Sequence, residues 1–184
     1  MATALIDTNI LVYRYDPRFP EKQAIARDVL RQGIAADSIR VPHQAIIEFV
    51  AAVTRPLISG HPLLQASEAR REAEEFLSQF TILYPNDGIL RLALRATAAY
   101  RLSWFDAHLW AYAEHYGLEQ IISEDFQHDR LYGTVRTINP FLQTANDRLW
   151  VRNSPCLFFG ECRLFYCFAD DQLTALGPGV GATT

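Results

Sequence analysis

TALIDTN (residues 3–9) is a four-residue apolar run that stops on an aspartate, a threonine and an asparagine. The run has the length of a short buried strand, and the three residues behind it are good helix starters. Working outward, residues 20–34 open with Pro20 and Glu21, place Ile25, Val29 and Leu30 on one stripe, and close at Gly33, which predicts a helix. Ile39–Pro42 reads as a second short strand. HQAIIEFVAAVT (43–54) reads as a helix that is apolar almost all round and therefore deeply buried. RPLISGHP (55–62) carries two prolines and a glycine and is a loop. Further helices are expected at 66–79, 87–101 and 104–116, and further strands at 80–84, 120–123 and 134–138, the last stopped by Asn139-Pro140. Strands alternating with helices across short connections predict an α/β fold, with a central parallel sheet of about five short strands covered on both faces.

That pattern stops at Phe141, so residues 1–141 are read as one domain and 142–184 as a C-terminal extension. The extension concentrates aromatic residues and all three cysteines. A hairpin at 157–168 around Gly160 is expected there, its aromatic side chains docked on the domain, a partner or a second copy.

Composition narrows the function. At 184 residues, 49% hydrophobic and 21% charged, the chain is neither disordered nor of low complexity. It has no apolar run long enough to span a membrane. The start lacks the basic segment of a signal peptide, so a cytoplasmic protein is expected. A net charge of −4 gives no global positive field for nucleic acid, although a local patch is compatible with it. Lys22 is the only lysine, and it sits in PEKQA with no glycine beside it, which excludes a P-loop. No GxGxxG follows any strand, so a dinucleotide fold is unsupported. The cysteines (156, 162, 167) do not have zinc-site spacing, and the five histidines form no paired ligand motif.

What remains is acidic. In open α/β sheets chemistry gathers at the carboxyl ends of the strands. Asp7 follows the first strand, and Glu124 and Asp125 follow the fourth. Asp106 lies in the first turn of the 104–116 helix, three residues after Ser103, a spacing that also suits a capping box. Asp7 could equally cap a helix, and Glu124 and Asp125 could be turn acids. Glu48 has no such ordinary role. It is the only charge between His43 and Arg55 and has no cation three or four residues away. A buried, unpaired carboxylate costs several kcal/mol. Two carboxylates about 5 Å apart repel by roughly 3 kcal/mol at an effective dielectric near 20. A divalent cation would compensate the acids together, and all-oxygen ligands select Mg²⁺ or Mn²⁺ over zinc.

LIDTNILVY (5–13), the glutamate within VPHQAIIEFVAAVTR (41–55), LSWFDAHLWAYAEHYG (102–117), IISEDFQHD (121–129) and INPF (138–141) together resemble the PIN-domain ribonucleases. The nearest likeness is to the toxin half of VapBC-type toxin–antitoxin pairs, and it covers residues 1–141. The resemblance implies a three-layer α/β sandwich and a Mg²⁺- or Mn²⁺-dependent endoribonuclease. It assigns the acidic site to Asp7, Glu48, Asp106 and Asp125, with Asn9 supporting the first acid and Ser123 beside the last. Glu124 adds a neighbouring acid, and the choice between it and Asp125 stays open. Arg14, Arg101 and Arg130 lie near these segments and are candidates to bind RNA phosphates. The resemblance further implies a cognate antitoxin and a homodimer, and the lack of a membrane-length apolar run implies no membrane partner. Two rival readings are a non-catalytic protein-interaction module of the same fold and a haloacid-dehalogenase-type phosphatase. The second wants D-x-D after the first strand, where this chain has Asp7-Thr8-Asn9.

Overall fold

Ala4–Ile6 forms β1, every residue of it buried, and the rest of the fold is arranged around it. The computed structural model describes residues 3–142. After β1 come α1 (Thr8–Tyr13), α2 (Pro20–Ala35), β2 (Ile39–Pro42), α3 (His43–Thr54), α4 (Ala66–Gln79) and β3 (Thr81–Leu83). They are followed by α5 (Asp87–Tyr100), α6 (Trp104–His115), β4 (Gln120–Ile122), β5 (Leu131–Tyr132) and β6 (Val135–Ile138). The expected hairpin at 157–168 and the rest of the extension from 143 onward lie outside the described residues.

The strand order is β3-β2-β1-β4-β6-β5, parallel throughout except for the β5–β6 pair. The sheet thus has six strands rather than about five. The additional one, β5, is two residues long and turns into β6 through Gly133, whose φ of 61° suits the tight reversal. Both faces are covered, as the period-two alternation requires. Ala4, Ile6 and Ile122 pack into a core shared with α1 to α4, while Leu5 and Ile121 face the opposite way into a core shared with α5 and α6.

Two helices differ from expectation. Gly33 does not close α2, which runs on to Ala35. It is there because a Cβ at this position would run into the side chain of Ile39 on β2. α3 is not deeply buried all round: Ala45, Ile46, Phe49 and Val53 face the core, but Ile47 is 58% exposed. Its stripe is amphipathic by position, with small and apolar residues on the open side.

The direction of strand addition reverses at β1. From β1 the chain adds β2 and β3 on one side, then returns through α5 and α6 to add β4 on the other. Ile6 pairs with Ile122, so Asp7 and Ser123 leave the sheet side by side, and the Asp7 N–H donates to the Ile122 carbonyl at 3.0 Å. This is the crevice in which open α/β sheets place their ligands.

Candidate active site

Asp7 is both the cap of α1 and the centre of a polar cluster. Its Oδ1 accepts from the Thr8 N–H at 2.6 Å. Its Oδ2 accepts from Asn9 Nδ2 at 3.0 Å and from the Ser123 hydroxyl at 2.5 Å. Asn9 Nδ2 also reaches Ser123 Oγ at 3.2 Å and Asp125 Oδ2 at 3.1 Å. Three acceptors around one amide nitrogen fix the orientation of the Asn9 side chain. Asn9 is therefore a bridge between the acid after β1 and an acid after β4. Burial pushes the Asp7 carboxyl well above the usual carboxylate range. Repulsion from Asp125 adds to this, the Ser123 and Thr8 hydrogen bonds oppose it, and Asp106 raises it further.

Glu48 and Asp106 come from opposite layers. Asp7, Glu48 and Asp106 line one cleft with Thr8, Gln44 and Phe105. Glu48 is half-buried on α3 and has two neutral donors, the Thr8 hydroxyl at 2.8 Å and Gln44 Nε2 at 2.5 Å. Gln44 passes the contact on, its Oε1 meeting His108 Nδ1 on α6. Because Nε2 of that amide is committed to Glu48, Oε1 is the acceptor and His108 carries its proton on Nδ1. Asp106 stands on α6 two positions before His108. Ser103 caps the helix by accepting from the Asp106 N–H at 3.2 Å, and its hydroxyl donates to Asp106 Oδ2 at 2.7 Å. Capping and site membership are thus the same arrangement. Burial pushes the Asp106 carboxyl up, hydrogen bonding with Ser103 opposes the shift, and the charge of Glu48 adds to it.

Glu124 and Asp125 part company. Asp125 joins Asn9, whereas the buried Glu124 turns to Tyr13 and Lys22, accepting from the Tyr13 hydroxyl at 2.5 Å and pairing with Lys22 Nζ at 2.5 Å. The three arginines are dispersed. Arg14 lies 3.9 Å from Glu72 and over the rings of Tyr15 and Phe76. Arg130 packs on Tyr132 and donates to Gln127 Oε1. Arg101 is exposed at the end of α5 with a left-handed φ of 55°. Thr8, Gln44 and Tyr13 belong to the site's polar network without having been singled out by the sequence. Gln44 alone had a local signal, an amide four residues before Glu48 on the same helix face.

Among the described residues, no three acidic, histidine or cysteine side chains are drawn together closely enough to hold a metal ion as they stand. Asp7, Glu48 and Asp106 are instead tethered to neutral donors around one cleft, and Asp7 feels the charges of both Asp125 and Asp106. The donor set is oxygen throughout, and the buried Asn9 Oδ1 has no hydrogen-bond partner among the described residues. Hard oxygen donors and excess negative charge fit a cation such as Mg²⁺ or Mn²⁺.

Comparison with known proteins agrees with this fold. The sequence profile of the PIN domain matches residues 4–133. No curated protein matches the chain. Solved structures share the fold. A toxin–antitoxin complex from Klebsiella pneumoniae is 19% identical with a TM-score of 0.53, over 75% of this chain and 98% of that one. FitAB bound to an IR36 DNA fragment is 16% identical with a TM-score of 0.56, over 77% and 98%. DNA-bound VapBC from Salmonella typhimurium is 13% identical with a TM-score of 0.54, over 74% and 97%. Because the profile match runs from β1 through β5 and takes in every acid of the cleft, the chain belongs to the PIN domain family.

Proposed function

We propose that this protein is a Mg²⁺- or Mn²⁺-dependent endoribonuclease and the toxin of a toxin–antitoxin pair. One observation carries the reading: the Asp7–Asn9–Asp125 bridge at the point where the sheet reverses, facing a cleft that Asp106 and Glu48 enter from opposite layers. Asp7, Glu48, Asp106 and Asp125 would hold the ion. When bound, such an ion supplies an activated water for in-line attack on phosphorus and neutralises charge on the leaving oxygen.

The chain's own residues keep the acids in place. Asn9 and Ser123 hold Asp7 beside Asp125, Thr8 and Gln44 fix both oxygens of Glu48, and Ser103 fixes Asp106. Of the candidate phosphate binders, Arg101 and Arg130 are exposed residues, Arg130 resting on Tyr132, whereas Arg14 is engaged with Glu72. The solved structures of similar fold are toxin–antitoxin complexes, two of them on DNA, which supports a protein antitoxin as partner. A homodimer acting in the cytoplasm completes the proposal.

The test is cleavage of a labelled RNA pool by purified protein in Mn²⁺ or Mg²⁺ and in EDTA, with Asp106→Asn alongside. Metal-dependent cutting that the variant lacks is the expected result. Absence of both cutting and metal uptake in folded, antitoxin-free protein would replace this reading with a non-catalytic interaction module.

A further inference from the structure

Lys22 is the only lysine of the chain, and its half-buried side chain brings the ammonium group onto the buried Glu124. Nζ lies 2.5 Å from Glu124 Oε2 and 3.0 Å from the Tyr13 hydroxyl, which itself donates to Glu124 Oε1. The three polar groups close a triangle. Around it stand aromatic rings, with Nζ 4.6 Å from the centroid of Tyr13, 5.2 Å from Phe141 and 5.6 Å from Phe19. Tyr13 meets both other rings edge-on, at 5.7 Å and 5.1 Å.

This arrangement is unfavourable on two counts. Lys22 is the third residue of α2, where the positive end of the helix disfavours a cation. Glu124 is desolvated, and a desolvated ion pair generally contributes little net stability compared with apolar residues in the same space. Stability alone therefore gives no reason for the pair.

Its position supplies one. Ser123, Glu124 and Asp125 are consecutive, and each side chain is tied to a different place. Ser123 donates to Asp7, Asp125 accepts from Asn9, and Glu124 is held by Lys22 and Tyr13. Asp7, Asn9 and Tyr13 all belong to α1 or its cap, so the loop after β4 is fastened to both ends of that helix. Asp7 and Asp125 repel each other, and a loop free to relax would move Asp125 away.

We propose that Lys22 is a positioning residue for Asp125. Through Glu124 and Tyr13 it holds the Ser123–Asp125 loop against α1, keeping Asp125 beside Asp7 on the shared Asn9 amide. This rests on the metal-site reading above. Lys22 touches neither ion nor substrate.

The experiment uses the full chain and Mn²⁺ as the probe. Lys22→Met alone strands Glu124, so the informative variant is Lys22→Met/Glu124→Leu, which removes both charges and keeps apolar packing. Calorimetry should show Mn²⁺ affinity weakened tenfold or more while Tm stays within a few degrees of wild type. The Mn²⁺ concentration for half-maximal cleavage should rise in parallel. Wild-type affinity in a stable double variant would overturn the positioning role and leave the nuclease reading intact. Wild-type protein that takes up no Mn²⁺ would overturn the metal reading itself, and this proposal with it.

A second measurement needs no variant. Lysine labelled with ¹⁵N at Nζ gives a single side-chain resonance in this chain. Titration with diamagnetic Mg²⁺ should shift that resonance along the same saturation curve as binding, and a resonance unmoved at saturation would also overturn the proposal.

Discussion

Ser123 and Asp7 meet through a 2.5 Å hydrogen bond that spans 116 positions of the chain. The bond joins the residues that leave β4 and β1, and its donor is neutral. The hydrogen bonds to the Asp7 carboxylate come from a backbone N–H, an amide and a hydroxyl. The buried acid is solvated by dipoles, with no ion pair to it among the described residues.

Removing one of those dipoles should be felt in both stability and chemistry. Ser123→Ala leaves Asp7 Oδ2 with Asn9 alone. Hydrogen bonds to charged groups are worth roughly 1.5–3 kcal/mol, and loss of a group that orients a metal ligand typically costs about 10–100-fold in affinity or activity. A fall in Tm together with a cleavage rate reduced by about tenfold or more is expected. Thermal melts and single-turnover cleavage of the same preparation check both.

The raised carboxyl of Asp7 has a signed consequence. Its folded-state value lies above its unfolded one, so its contribution to stability is complete below about pH 4 and is lost as pH rises through the folded value. In EDTA the wild-type Tm should therefore fall toward neutrality by more than that of Asp7→Asn, and the variant should be the more stable of the two at pH 7. Each pH unit of displacement is worth about 1.4 kcal/mol. Mn²⁺ should raise the wild-type Tm and leave the variant's nearly unchanged. Parallel curves for the two proteins in EDTA would show that Asp7 ionises normally.

Gly33 offers a test of packing against propensity. Alanine is favoured over glycine inside a helix by about 1 kcal/mol, yet its Cβ would enter the space of the Ile39 side chain. Overpacking of this kind typically costs about 1–3 kcal/mol, so Gly33→Ala should lower stability in chemical denaturation. Ile39→Val in the same chain should recover part of the loss.

Arg101 holds a left-handed φ of 55°, a conformation that costs a residue with a side chain roughly 1–2 kcal/mol. Arg101→Gly should raise the melting temperature by a few degrees. If Arg101 also binds a flanking phosphate, the same variant should show a raised KM for RNA. Opposite movements of stability and KM would separate its two roles.

The sequence made the α/β alternation readable because buried short strands and helices of 12 to 16 residues leave distinct periods. β5 left none: two residues cannot display an alternation, and only the β6 edge makes them a strand. The site was readable as residue types at strand ends, but its wiring was not. Thr8 reaches Glu48 across 40 positions, and Lys22 reaches Glu124 across 102. A search for a cation near Glu48 passes over Gln44, whose neutral amide does the compensating. Glu124 and Asp125 could not be told apart because both lie in the bend after β4, where no strand alternation assigns a side, and only the folded neighbours reveal which one faces Asp7.

The placement of β1 between β2 and β4 also bears on synthesis. A ribosome delivers β1, β2 and β3 first, and these can pair into a three-stranded sheet whose β1 edge is still open. Ser123 and Asp125 emerge more than a hundred residues after Asp7, and they reach it only when β4 docks on that edge. A nascent chain carries Asp7 and Glu48 long before it carries Asp106 and Asp125. The acidic site is therefore completed late in the making of the molecule, and a chain cut short before β4 would lack both Ser123 and Asp125.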